Sequence, residues 1–199
     1  MATERQGELF TAESALIKSS VAGAEWSLQA HQLLQWQKEV AAYQGPLFRD
    51  EESGGEQKEL FSATNGSTSR TRINPLILQA QPLNFWRWPT SPHHGAALYF
   101  ILDTGLVGSR PLLLYIGETS RADQRWKGEH DCKKYLAAYQ EALVKAELNY
   151  QLSIRFWLDV PRELKARRQL EKILILRWLS PFNKENQQRW TTPFTVDPT

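Results

Sequence analysis

The chain has 199 residues, of which 41% are hydrophobic and 23% charged, so it can build one ordinary core and is not disordered by composition throughout. Its net charge is +2, split between an acidic stretch, residues 1–74 (7 basic, 10 acidic), and a basic stretch, residues 75–199 (17 basic, 12 acidic), which points any phosphate contact to the second part. No apolar run reaches 18 residues, MATERQGELF lacks a basic-then-apolar leader pattern, and Cys132 is the single cysteine; no membrane partner, no signal peptide, no intrachain disulfide and a cytoplasmic location are expected.

In chain order, residues 1–48 form an N-terminal extension with one helix. The stretch from Ala24 to Tyr43 has no Pro or Gly, and Trp26, Leu33, Leu34 and Val40 fall near one face. Residues 49–74, RDEESGGEQKELFSATNGSTSRTRIN, read as a flexible polar linker, so the extension is expected to be partly helical and partly disordered. Pro75 to Gly95 is rich in Pro and Trp and is expected to wrap the domain formed by residues 75–199.

Ala97 to Leu102 (ALYFIL) and Leu112 to Gly117 (LLLYIG) have strand length and composition, and the Asp103–Arg110 segment between them, with two glycines, reads as a hairpin loop. Ser120 to Leu148 is helical in composition, as two helices. Leu152 to Leu158 is a third strand. Pro161 to Trp178 is a helix with Pro at its first position, with Leu164, Leu170, Leu174 and Trp178 recurring on one side, ended by Pro181. The fold class is therefore α/β: a small three-stranded sheet flanked by helices in the order β-β-α-β-α.

This layout orders a set of polar residues: Tyr99 in the first strand, Tyr115 in the second, Arg125 and His130 on the next helix, Glu171 at the edge of the last helix's apolar face, and Asn183 just beyond Pro181. Tyrosines in strands are usually packing, and a lone mid-helix glutamate is usually solvated. As an ordered set, however, they resemble the GIY-YIG nucleases over about Gly95 to Phe194. The first motif reads Ala97-Leu98-Tyr99 and the second is a literal Tyr115-Ile116-Gly117. Ala97 and Leu98 replace the Gly and Ile of the first motif. The histidine stands five residues after Arg125, where four is usual, which leaves Glu129 as the alternative occupant.

The resemblance implies a metal-dependent endonuclease that hydrolyses DNA phosphodiester bonds, in DNA repair or genome maintenance. It implies one Mg²⁺ or Mn²⁺ held by Glu171, water and substrate phosphate. Arg125 would bond the phosphate, Tyr99 or Tyr115 would position or deprotonate the attacking water, His130 would polarise it, and Asn183 would anchor the Glu171 region. Lys127, Lys133, Lys134 and Arg167, with Arg168 and Arg177, are candidates to track a nucleic-acid backbone. Trp86, Trp88, Trp157, Trp178 and Trp190 could stack bases, although core packing is the commoner use of such residues. His93-His94 reads as surface loop. The rival readings are a restriction or mobile-element nuclease, and a catalytically weak adaptor that binds nucleic acid or a clamp.

A short repeat occupies the N-terminal part: Gln6-Gly7-Glu8-Leu9-Phe10, Gln44-Gly45-Pro46-Leu47-Phe48 and Gln57-Lys58-Glu59-Leu60-Phe61 all read QxxLF. The pattern resembles the peptides by which bacterial polymerases and repair proteins dock on the sliding clamp. There the Gln hydrogen-bonds and the Leu-Phe pair fills an apolar pocket, which makes Gln6, Leu9, Phe10, Gln44, Leu47, Phe48, Gln57, Leu60 and Phe61 candidate partner contacts. The plain alternative is that Phe10, Leu47 and Phe48 staple the N-terminal helix to the domain.

Overall fold

The computed structural model describes residues 30–49, 70–84, 93–106, 108, 110–125, 127, 131–192 and 194. Helix α1 (Ala30–Phe48) comes first, followed by strands β1 (Ala97–Asp103) and β2 (Leu112–Thr119). Helix α2 (Asp131–Lys145), strand β3 (Leu152–Trp157), helix α3 (Leu164–Trp178) and a short helix α4 (Gln187–Trp190) complete the order. The three strands form one antiparallel sheet in the order β2-β1-β3, so the expected α/β class and β-β-α-β-α succession are present. Among the described residues no helix is long and apolar enough to cross a membrane.

Successive strand residues face opposite sides of a sheet, and here both sides are covered. Ala97, Tyr99 and Ile101 point to one face, where they pack with Leu33, Trp36 and Val40 of α1, Leu136, Tyr139 and Leu143 of α2, and Phe182. Leu98, Phe100 and Leu102 point to the other, against Leu170, Leu174 and Trp178 of α3 together with Phe48. That is why all seven residues of β1 are buried. The hairpin carries an irregularity between Ile101 and Leu102, and Tyr99 sits opposite Gly117.

Four local expectations need correction. First, α1 does not stop at Tyr43 but runs through Gly45-Pro46 to Phe48, with Leu33 and Val40 buried and Leu34 exposed. Proline in the last turn forfeits one helical bond; tertiary bonds made by Gln44 and the burial of Phe48 hold the turn in place. Second, the Arg49–Asn74 stretch is tied down at its far end. Residues Arg70–Arg72 form a 3-10 turn, and Asn74 caps the Pro75–Ile77 turn while donating from Nδ2 to the Phe48 carbonyl at 2.8 Å.

Third, residues 121–125 form a turn rather than a helix. The Thr119 hydroxyl accepts from Arg121 N at 3.0 Å and Gly95 O accepts from Ala122 N at 2.9 Å, bonds that turn the chain back to the sheet. Fourth, α3 begins at Leu164, not at Pro161, because the carbonyls of Pro161 and Arg162 turn to accept from the buried Arg167 at 3.1 and 3.0 Å. The Pro75–Gly95 segment does wrap the domain where it is described. Gln81 makes an antiparallel bridge with Ile154, Leu83 is buried, and Arg155 Nη1 donates to Leu76 O and Leu78 O.

Candidate active site

β2 lies at the sheet edge, where unpaired N–H and C=O groups need partners. Side chains and one backbone amide supply them. Gln44 takes both groups of Leu113: its Oε1 accepts from Leu113 N at 2.8 Å and its Nε2 donates to Leu113 O at 3.0 Å. Phe182 N donates to Leu114 O at 2.9 Å. Asn183 takes both groups of Ile116, accepting from its N–H at 2.9 Å and donating to its carbonyl at 2.8 Å. The Glu118 N–H favours the charged form of the Glu171 carboxylate beside it. The strand bearing Tyr115-Ile116-Gly117 is thus the rail on which α3 and the chain after it are seated.

Across the sheet surface, Gly117 matters for what it lacks. A Cβ there would run into the Tyr99 ring, which lies across the bare backbone opposite. With that space open, Tyr99 Oη accepts from Arg125 Nε at 3.1 Å, and the guanidinium lies 5.7 Å from the ring centroid. The two tyrosine rings sit 6.0 Å apart, tilted by 32°. Burial raises the pKa of both phenols well above the usual tyrosine range, and each is raised further by groups around it. Both therefore stay protonated at neutral pH.

Tyr115, Arg125 and Glu171 converge on one cleft of about 450 Å³. Tyr99 is fully buried beneath it and is not part of its wall. Arg168, Lys172 and Lys184 add positive charge to the cleft, and Asp131 and Glu185 add negative charge. Lys184 Nζ pairs with Asp131 at 3.3 Å. The Glu171 carboxyl is pushed up to about 7, first by burial, then by the charges of Glu118 and Glu185, against the opposing Glu118 N–H bond and Arg125. A carboxylate held there without enough positive charge attracts either a proton or a cation.

The structure sorts the remaining candidates. Asn183 lines the cleft, but its carbonyl oxygen accepts from Ile116 N and from Ser180 Oγ (2.6 Å) while its amide donates to Ile116 O, so it anchors rather than reacts. Arg167 is a correction: at 1% exposure it cannot track a nucleic-acid backbone, because its guanidinium is spent on interior acceptors. Lys127 and Lys134 are exposed and Lys133 is half-buried; none lines the cleft. Trp157 and Trp178 are core residues, and Trp190 donates from Nε1 to Leu179 O at 2.5 Å. His93 is half-buried against the Phe156 ring and bonded to Gln81, not simply a surface loop residue. His130 and Glu129 lie outside the described residues, as do Trp86 and Trp88.

The middle QxxLF copy is also a correction. Gln44 is fully buried, and Phe48 packs 4.6 Å from Trp178. Leu47 is part-buried against the same cluster. A segment whose Gln and Phe are committed to the interior is not presented to a partner. Gln6, Leu9, Phe10, Gln57, Leu60 and Phe61 lie outside the described residues.

Sequence reasoning misses the part that two residues play at the site. Glu118 lies one step past the motif at which the expected strand ends, although alternation carried that step further puts it on the face of Ile116. Arg167 shares a helical face with Leu170, Leu174 and Trp178, a spacing that already marks it as inward. Comparisons with protein-family models, curated proteins and solved structures find no match to this chain.

Proposed function

We propose that the chain is a divalent-cation-dependent endonuclease of the GIY-YIG kind that hydrolyses DNA phosphodiester bonds. One observation carries the reading: Tyr115, Arg125 and Glu171, which come from separate stretches of sequence, meet in one cleft with Tyr99 bonded beneath them. Dispersal of these groups would have favoured a binding adaptor.

Among the described residues no cluster of three His, Cys, Asp or Glu could hold a metal. A single acid such as Glu171 suits Mg²⁺ or Mn²⁺, which keep several waters and complete their shell with substrate phosphate. When bound, such a cation would supply Lewis acidity to the phosphate and the leaving oxygen. Arg125 would donate to a phosphate oxygen in the transition state, its Nε already fixed by Tyr99. Tyr115 is the phenol that meets the cleft. Because it stays protonated, its part is to orient the attacking water rather than to act as a phenolate base. Tyr99 positions Arg125 and Tyr115, and Asn183 seats the α3 end on Ile116.

Recruitment by a sliding clamp would rest on the outer copies Gln6–Phe10 and Gln57–Phe61 alone. The deciding experiment is Mg²⁺-dependent cleavage of duplex, single-stranded, flap and branched DNAs by the full chain. The wild type should cut at least one of them, and Glu171→Gln should lose cleavage while keeping its fold and DNA affinity. Cleavage by the Gln variant near the wild-type rate would remove Glu171, and with it the one-carboxylate mechanism.

A further inference from the structure

Arg167 is an arginine in the interior of a small domain. Its Nε donates to Glu118 Oε2 at 3.0 Å, Nη2 to Ser120 Oγ at 2.8 Å, and Nη1 to the Pro161 and Arg162 carbonyls. From the solvent side, Arg168 Nε approaches the other oxygen of Glu118 at 3.6 Å. One helical turn beyond Arg167, on the same face, stands Glu171, whose charged form is favoured by the backbone N–H of that same Glu118. Helix α3 therefore grips one β2 residue by an ion pair to its side chain, with the cleft carboxylate set beside that residue.

Stability alone is a poor reason to bury this pair. Desolvating two charges costs about as much as their attraction returns, and apolar residues of similar size often serve a core as well or better. What an ion pair adds is a directional bond and a local charge balance, and here both fall beside Glu171. We propose that Glu118 and Arg167 are positioning residues that latch Glu171 onto β2 and set the negative charge it offers to a divalent cation in the cleft. The inference rests on the cation reading given under Proposed function.

Charge makes the latch distinguishable from a simple structural bond. Glu118→Gln keeps the shape and an acceptor for Arg167 but leaves the guanidinium uncompensated, so the cleft should bind a cation less well. Arg167→Met leaves the Glu118 carboxylate with only the exposed Arg168 beside it, so cation affinity should rise while cleavage slows, because α3 has lost its buried side-chain grip. Arg168→Met makes the same charge change on an exposed side chain, 65% accessible, and so tests it with little risk to folding.

The probe is Mn²⁺ alone, titrated calorimetrically into the full-length chain without DNA, with melting temperature and cleavage rate measured on the same preparations. The expected result is a weakening for Glu118→Gln and a tightening for Arg167→Met and Arg168→Met, each about 3- to 10-fold. Should Arg167→Met not fold, the opposed signs of Glu118→Gln and Arg168→Met carry the test. Affinities that stay unchanged, or that all move in one direction, overturn the latch while leaving a wild type that binds Mn²⁺ and cuts DNA intact as a nuclease. A wild type that binds no Mn²⁺ overturns the cation reading itself, and the latch with it.

Discussion

A carboxyl group raised from its ordinary 4.5 to about 7 leaves a signature in folding as well as in chemistry. The folded state holds the Glu171 proton more tightly than the unfolded state does. The resulting stability is complete below about pH 4.5 and is lost as pH rises through about 7. Glu171→Gln has nothing to lose over that window. Without divalent cations, the variant should therefore gain on the wild type between pH 5 and pH 8. The gain should be about 1–3 kcal/mol, since about 1.4 kcal/mol corresponds to a tenfold change in proton affinity and solvent screening trims the effect. Thermal melts across that range measure it, and a gap between the two proteins that stays constant with pH would contradict the assignment. The neighbours of Glu171 are divided in sign: Glu118 and Glu185 press toward protonation, while Arg125 opposes it. Added Mn²⁺ should remove part of the pH dependence by taking the proton's place.

At the scale of elements, the edge of β2 explains why short polar residues matter far from any chemistry. Asn183 and Gln44 each spend an amide on both backbone groups of one strand residue, Ile116 and Leu113. The C-terminal carbonyls of α3 are treated in the same way: Tyr43 Oη donates to Arg177 O at 2.9 Å, Gln44 Nε2 to Trp178 O at 3.0 Å, and Asn186 to Ile175 O at 3.1 Å. Helix α1 is thus bonded at once to the edge of the sheet and to the end of the site helix. The middle QxxLF segment belongs to this joint, and Phe48 closes it against Trp178. Phe48→Ala should cost about 3–5 kcal/mol, as deletion of a core aromatic does. At about 2–4 °C per kcal/mol for a chain of this size, the melting temperature should fall by roughly 6–20 °C. A variant that melts with the wild type and loses only the binding of a partner would restore this segment to the surface.

For the whole molecule, what the sequence discloses follows from how local each signal is. The strands and the hairpin are legible because Ala97–Leu102 and Leu112–Gly117 are apolar runs set apart by glycines. Tyr99, Tyr115, Arg125 and Glu171 are legible as an ordered set, but the meeting of the last three in one cleft, with Tyr99 beneath it, depends on sheet register and on Gly117 leaving room for a ring. The buried role of Gln44 is not legible in the same way, and for Arg167 the helical spacing shows the direction but not the partners. A polar side chain goes inside only when acceptors from distant segments converge on it, and Gln44 finds its partners 69 and 134 residues away.

The same long-range dependence bears on the expected division of the chain. Composition sets residues 1–48 apart as an extension, yet Leu33, Trp36, Val40 and Ala41 stand in the core with β1 and α2. Gln37 Nε2 also donates at 2.7 Å to Tyr139 Oη, which in turn donates at 2.9 Å to the fully buried Asp103. A chain beginning at residue 70 would expose that apolar face, strip the Gln44 amide from Leu113 and leave the Tyr139–Asp103 pair without its cover. Losses of this kind exceed the about 5–15 kcal/mol by which a domain is usually stable. The truncated chain should therefore show no cooperative melt and no DNA cleavage, read by circular dichroism and by the same cleavage assay. A fragment of residues 70–199 that melts cooperatively near the wild-type temperature would show that α1 is an appendage after all.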